Sequence, residues 1–141
     1  MSSTDADKER ENMSQHLDPQ KEKELVELLM GLTNYADLDA IAVVSKQGVK
    51  LAYFATEDSD ADPDLMAAVS AALLMTGEMA AGKLELGGLF EVTVRGQQGF
   101  AVLSQAGEFL LMGSAKDLTS MGLAVTQMRK YAKEVGDLLS K

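Results

Sequence analysis

Carboxylates alternate in the stretch Asp58-Ser59-Asp60-Ala61-Asp62-Pro63-Asp64 as they do in a calcium-binding loop. Such a loop needs glycine at its sixth position and a bidentate carboxylate at its twelfth. Counted from Asp58, those positions hold Pro63 and Val69. The run therefore reads as a solvated loop whose last aspartates favour the N-terminus of a following helix. The single histidine, His16, has no Ser, Cys or Asp partner at a triad-like spacing. No Gly-x-x-x-x-Gly-Lys-Ser/Thr phosphate loop is present, and Gly87-Gly88 and Gly96/Gly99 read as loop and turn glycines. Cysteine is absent, which excludes disulfides, thiolate nucleophiles and Cys-ligated metals. No catalytic, metal-binding or cofactor-binding residue is assigned. The expectation is a non-enzymatic chain that does not bind nucleotide itself.

Composition narrows the remaining classes. The chain has 141 residues, 46% hydrophobic and 25% charged, the balance of a single soluble domain with one sizeable core. Only 5% of residues are aromatic, so aliphatic side chains and methionine must fill that core. The net charge of −9 opposes binding to nucleic acid or anionic lipid. The opening Met-Ser-Ser-Thr-Asp-Ala-Asp-Lys-Glu-Arg lacks the apolar segment of a secretory signal. No membrane insertion is expected, and a cytoplasmic location is.

Periodicity supplies the elements. Residues 1–16 read as a disordered or frayed tail, and 17–141 as one domain. Asp18 followed by Pro19 starts a helix with an apolar stripe of Leu25, Leu28, Leu29 and Leu32. Leu38–Ser45 and Val49–Ala55 form a hairpin turned by Gly48. A second helix starts at Pro63. Strands follow at about Leu89–Val94, Phe100–Ser104 and Glu108–Gly113. A last helix is expected from about Asp117 to Leu139, with Ser114 and Asp117 as its capping box. Strands one, four and five are apolar on both faces, so both faces should be covered. Strand two carries Lys50, and strand three alternates apolar and polar residues, which suits sheet edges. The predicted fold is α+β, a three-layer α/β/α arrangement in the order α-β-β-α-β-β-β-α. Its five-stranded, mostly antiparallel sheet has the strand order 2-1-5-4-3.

The second helix lacks a polar face. On a helical wheel Leu65, Met66, Val69, Leu73 and Ala80 form a bulky side expected to pack on the sheet. The opposite strip carries Ala67, Ala68, Ala71, Ala72, Leu74, Met75 and Met79. Either a loop or the N-terminal tail covers this strip, or it is an interface with a partner or a second copy. The interface is the expectation, since one patch serves both subunits of a symmetric dimer.

The element order, the hairpin Ile-Ala-Val-Val-Ser-Lys-Gln-Gly-Val-Lys-Leu-Ala-Tyr-Phe-Ala, the Ala/Met-rich middle helix and the last helix around Tyr131-Ala132-Lys133-Glu134 resemble the Roadblock/dynein light chain family. The prokaryotic, MglB-like branch is the most similar. The resemblance covers about residues 18–139. It implies homodimers or heterodimers built through helix two and strand three. It also implies a platform for Ras-like small GTPases, acting as activator, exchange assistant or scaffold. Carried onto this chain, the dimer or partner interface comprises Ala68, Ala71, Ala72, Met75, Met79, Phe90, Val92 and Val94. Which of them face the twin and which face the GTPase stays open. An activator can supply an arginine finger, for which Arg95 and Arg129 are candidates, with Arg95 the nearer to the platform. One alternative is a nucleotide-independent dimerisation or scaffold module. Another is a small-molecule sensor, against which the scarcity of aromatic and buried polar residues argues.

Overall fold

A computed structural model describes residues 18–141. The tail expected over residues 1–16, with His16, lies outside the described residues.

Helix α1 (Pro19–Ala36) begins as its sequence requires. The Asp18 side chain accepts a hydrogen bond from the Lys21 amide at 2.7 Å, and Pro19 occupies the first turn. It ends at Asp37, which adopts a left-handed conformation (φ 56°) and returns its N–H to the Thr33 carbonyl. Strands β1 (Ala40–Ser45) and β2 (Lys50–Ala55) form the expected hairpin, with Gly48 at φ +89° in the turn. Helix α2 (Pro63–Lys83) leads to β3 (Glu91–Gly96), β4 (Gly99–Ala106) and β5 (Phe109–Ala115). A 3-10 turn (Leu118–Ser120) then leads into α3 (Met121–Leu139).

The sheet order is β2-β1-β5-β4-β3, and every neighbouring pair is antiparallel. Helices α1 and α3 cover one face, and α2 covers the other. Under α1 and α3, the core gathers Leu25, Leu29, Leu32, Ile41, Val43, Val102, Leu111, Met128 and Val135. Under α2, it gathers Ala42, Val44, Ala67, Leu74, Leu103, Leu110 and Met112. Strand β1 is buried throughout because its two side-chain sets serve the two different cores.

Most strand ends differ from the sequence reading by one or two residues, and two shifts have a clear local cause. Strand β3 runs two residues later than expected, because Gly96 pairs with Gly99 across a tight turn and that turn sets the register. Helix α3 starts at Met121, not at Asp117. Ser114 stays in the ladder opposite Ala40 and Ala101, so it is not free to cap. Asp117 alone organises the entry, accepting from the Thr119 amide at 2.9 Å and hydroxyl at 2.7 Å.

Candidate functional site

Helix α2 starts where Asp62 and Pro63 place it. The Asp62 carboxylate accepts from the amides of Asp64 at 2.9 Å and Leu65 at 3.4 Å. By length and composition α2 is apolar enough to cross a membrane, yet one stripe of it is closed against the sheet.

That stripe is not the bulky one expected. Ala67, Ser70, Leu74 and Ala81 are buried, with Met66 and Leu73 half-buried beside them. Leu65 and Val69, expected on the sheet, face outward, and Leu65 is 61% exposed. The physical reason is the closeness of the approach. A Cβ on Gly77 would lie 2.8 Å from Leu89 Cδ2 and 2.9 Å from Val92 Cγ2. A Cβ on Gly48 would come within 3.3 Å of Ala71. Small side chains let the helix settle close to the sheet, and the bulky ones turn away. Ser70 tolerates this burial by donating its hydroxyl to the Met66 carbonyl at 2.6 Å.

The outward face of α2 carries Leu65, Ala68, Val69, Ala72, Met75, Thr76 and Met79, with exposed Glu78 at its flank and Lys83 at its end as the charges nearby. Met75 is 74% exposed and Met79 60%. Beyond the helix, Leu84, Leu86, Phe90, which is 83% exposed, and Val94 on β3 are exposed as well. Of the eight sequence-predicted interface residues, the structure exposes Ala68, Ala72, Met75, Met79, Phe90 and Val94. Ala71 and Val92 are half-buried, Ala71 against Gly48 and Val92 against Gly77. Sequence reasoning missed Leu65 and Val69, and with them Leu84 and Leu86, whose apolar types between two glycine-containing turns were the available signal. Among the described residues, strand β3 ends the sheet and pairs only with β4, so none of them pairs its other edge.

The two arginines lie elsewhere. Glu91, Thr93 and Arg95 alternate onto the face of β3 opposite α2. Arg95 lines a shallow recess with Gly96, Gln97 and Leu118, away from the α2 strip. Arg129 on α3 is tied to Glu91 through Nε–Oε1 at 2.7 Å and Nη2–Oε2 at 3.1 Å. The hydrogen bonds to Glu91, and then its charge, raise the guanidinium pKa further.

Two grooves flank the sheet. One, of about 470 Å³, lies between α3 and the β3–β4 pair and is lined by Phe90, Glu91, Ser104, Arg129, Lys133 and Asp137 among others. The other, about 490 Å³, lies at the opposite end and is acidic, with Asp39, Asp58, Asp60 and Asp117 around Lys116. Lys116 stands 3.9 Å from Asp60, and its amide donates to Asp39 at 2.8 Å.

Comparison with known proteins adds to this geometry. A profile of the Roadblock/LC7 domain matches residues 24–114, from α1 into β5. An MglB solved with a tetrameric arrangement has a TM-score of 0.76 at 18% identity, over 88% of this chain and 93% of that one. The gliding protein MglB of Thermus thermophilus also reaches 0.76, at 17% identity over 88% and 94% of the two chains. Myxococcus xanthus MglB reaches 0.74 at 16% identity, over 83% and 95%. At these identities the likeness is one of fold. No curated protein matches the sequence.

Proposed function

The chain belongs to the Roadblock/LC7 domain family, and from that premise we propose that it is a non-enzymatic, homodimeric regulator or scaffold for a Ras-like small GTPase. The observation that carries this reading is the largely apolar outward face of α2, together with an edge of β3 that no described residue pairs. An apolar surface of that extent is unfavourable in water unless another protein covers it. A two-fold dimer buries the same patch on both subunits and pairs the open edge with its twin. Ala68 and Ala72 allow close helix approach. Met75 and Met79 offer adaptable contacts to a partner whose surface changes with its nucleotide. An MglB of the same fold was solved in a tetrameric arrangement, which is in keeping with self-association.

In this reading the protein acts in the cytoplasm, and the dimer's paired α2 helices form the GTPase platform. It works by ordering the partner's own switch loops, because neither arginine lies with the α2 strip. The test combines two measurements. Light scattering should give twice the chain mass. Immobilised protein should then retain a Ras-like GTPase loaded with GDP or with a non-hydrolysable GTP analogue, but not both equally. A monomer in solution removes the platform. Retention indifferent to nucleotide replaces regulation with plain scaffolding.

A further inference from the structure

The groove between α3 and the β3–β4 pair has the makings of a second site, sharing only Phe90 with the apolar surface around α2, with its α3 wall beyond the residues matched by the family profile. At its other wall is Ser104, only 3% exposed, whose hydroxyl has no hydrogen-bond partner among the described residues. Buried hydroxyls are nearly always paired, so an orphan lining a groove points to a missing acceptor. The neighbour across the strand pair, Glu91, is not that acceptor. Its carboxylate is held by Arg129 through both oxygens and makes no hydrogen bond to Ser104.

The rest of the lining narrows the ligand. With Glu91 and Arg129 neutralising each other, Lys133 and Asp137 are the remaining charges. Neither makes an ion pair among the described residues. They stand four residues apart on α3, so their side chains rise together from one helix face. Facing them is the exposed ring of Phe90. One cation, one anion, one unpaired hydroxyl and one aromatic ring complement a small zwitterion with an apolar body. The volume of about 470 Å³ falls in the range of small-molecule sites.

The geometry points to a free α-amino acid with an aromatic or branched apolar side chain as the ligand of this groove. Its carboxylate meets the Lys133 ammonium and, once the groove wall over the closed-off Ser104 hydroxyl shifts slightly, accepts from that hydroxyl. Its ammonium meets Asp137, and its side chain lies against Phe90. The site asks for no chemistry, only binding. Because Phe90 and Glu91 open the edge strand, an occupant would also contact the start of β3.

The test uses the full chain, with amide NMR titrations of phenylalanine and leucine followed by calorimetry. Parallel titrations use 3-phenylpropionate, which lacks the ammonium, and phenethylamine, which lacks the carboxylate. Saturable shifts are expected around Ser104, Phe90 and residues 133–137, with each half-ligand weaker by about tenfold or more. Lys133→Met and Asp137→Asn are surface changes that keep the fold, and each should weaken binding by about tenfold. Ser104→Ala should weaken it by about threefold or more while leaving the rest of the spectrum in place. Absence of saturable shifts up to about 20 mM ligand overturns the proposal. So do shifts that ignore all three substitutions, or half-ligands that bind as well as the amino acids.

Discussion

Arg129 on α3 and Glu91 on β3 meet in a two-point contact that joins the sheet's open edge to the helix layer on the other side. The arginine side chain is 65% exposed and the glutamate 23%, so water and salt reach the pair. Arg129→Gln and Glu91→Gln should each lower the melting midpoint by less than about 4 °C. Their effects should be non-additive at low salt and should fade at about 1 M salt. Additive losses that persist in salt would mean that the contact is packing and not charge.

Ala72 sits uncharged on the outward face of α2. Ala72→Glu places a carboxylate in the proposed dimer seam without touching either core. Dimer affinity should fall by about a hundredfold or more, while the melting midpoint of the dilute protein barely moves. Light scattering across a concentration series reads the first effect, and calorimetry the second. An unchanged assembly would place the seam elsewhere.

Ser104 offers an unusual gain. Its hydroxyl is buried and unpaired, so Ser104→Ala removes a polar group that stabilises nothing in the free protein. Stability in urea should rise by about 1 kcal/mol. A loss of that size would show that the hydroxyl is already satisfied in solution.

Glycines on α3 should respond in opposite ways. A Cβ on Gly136 would lie 2.9 Å from the Gly107 amide nitrogen and 3.0 Å from the Ala106 carbonyl carbon, both backbone atoms. Gly136→Ala should therefore cost about 1–3 kcal/mol, despite alanine's advantage of roughly 1 kcal/mol within a helix. Gly122 has nothing within 4 Å of its notional Cβ. Gly122→Ala should stabilise by up to about 1 kcal/mol. Paired urea melts check both signs.

Asp117 sets an acid limit for the entry to α3. Its hydrogen bonds from the Thr119 hydroxyl and then the Thr119 amide hold its carboxyl below the usual carboxylate range. A carboxyl with a depressed folded pKa stabilises fully above its unfolded value, near 3.9, and that support is lost as pH falls through the lower folded value. The melting difference between wild type and Asp117→Ala should be constant above about pH 5 and close below that. A difference that stays constant down to about pH 2 would deny the linkage.

The fold was legible because each cue was local and repeated. Asp18-Pro19 and Asp62-Pro63 start helices at those residues, and Gly48 turns the first hairpin. Lys50 and the alternation around Val92 and Val94 marked the two edge strands correctly. The inner face of α2 was not legible. Hydrophobic size argued for Leu65 and Val69 facing inward, but Gly77 and Ala67 set the distance to the sheet, and a long-range distance has no periodic signature. The Ser114–Asp117 capping box failed for a similar reason, since a strand pairing claimed Ser114. The groove beside α3 was invisible as well, because Phe90, Ser104 and Lys133 come from three separate stretches of chain.

The strand order carries a consequence for how the molecule is made. Strands β1 and β5 lie side by side at the centre of the sheet, with Ala40 opposite Ser114. The β1–β2 hairpin and the β3–β4–β5 meander can each form from neighbours in sequence. Neither owns a complete core until that central seam closes. Closing it joins the early part of the chain to the late part, the kind of distant contact that slows folding. A chain still on the ribosome, with β5 unmade, leaves its first hairpin without its central partner. The two halves of the core therefore close only once β5 has been made and paired with β1, and α2 has a full sheet to rest on only after that seam is in place.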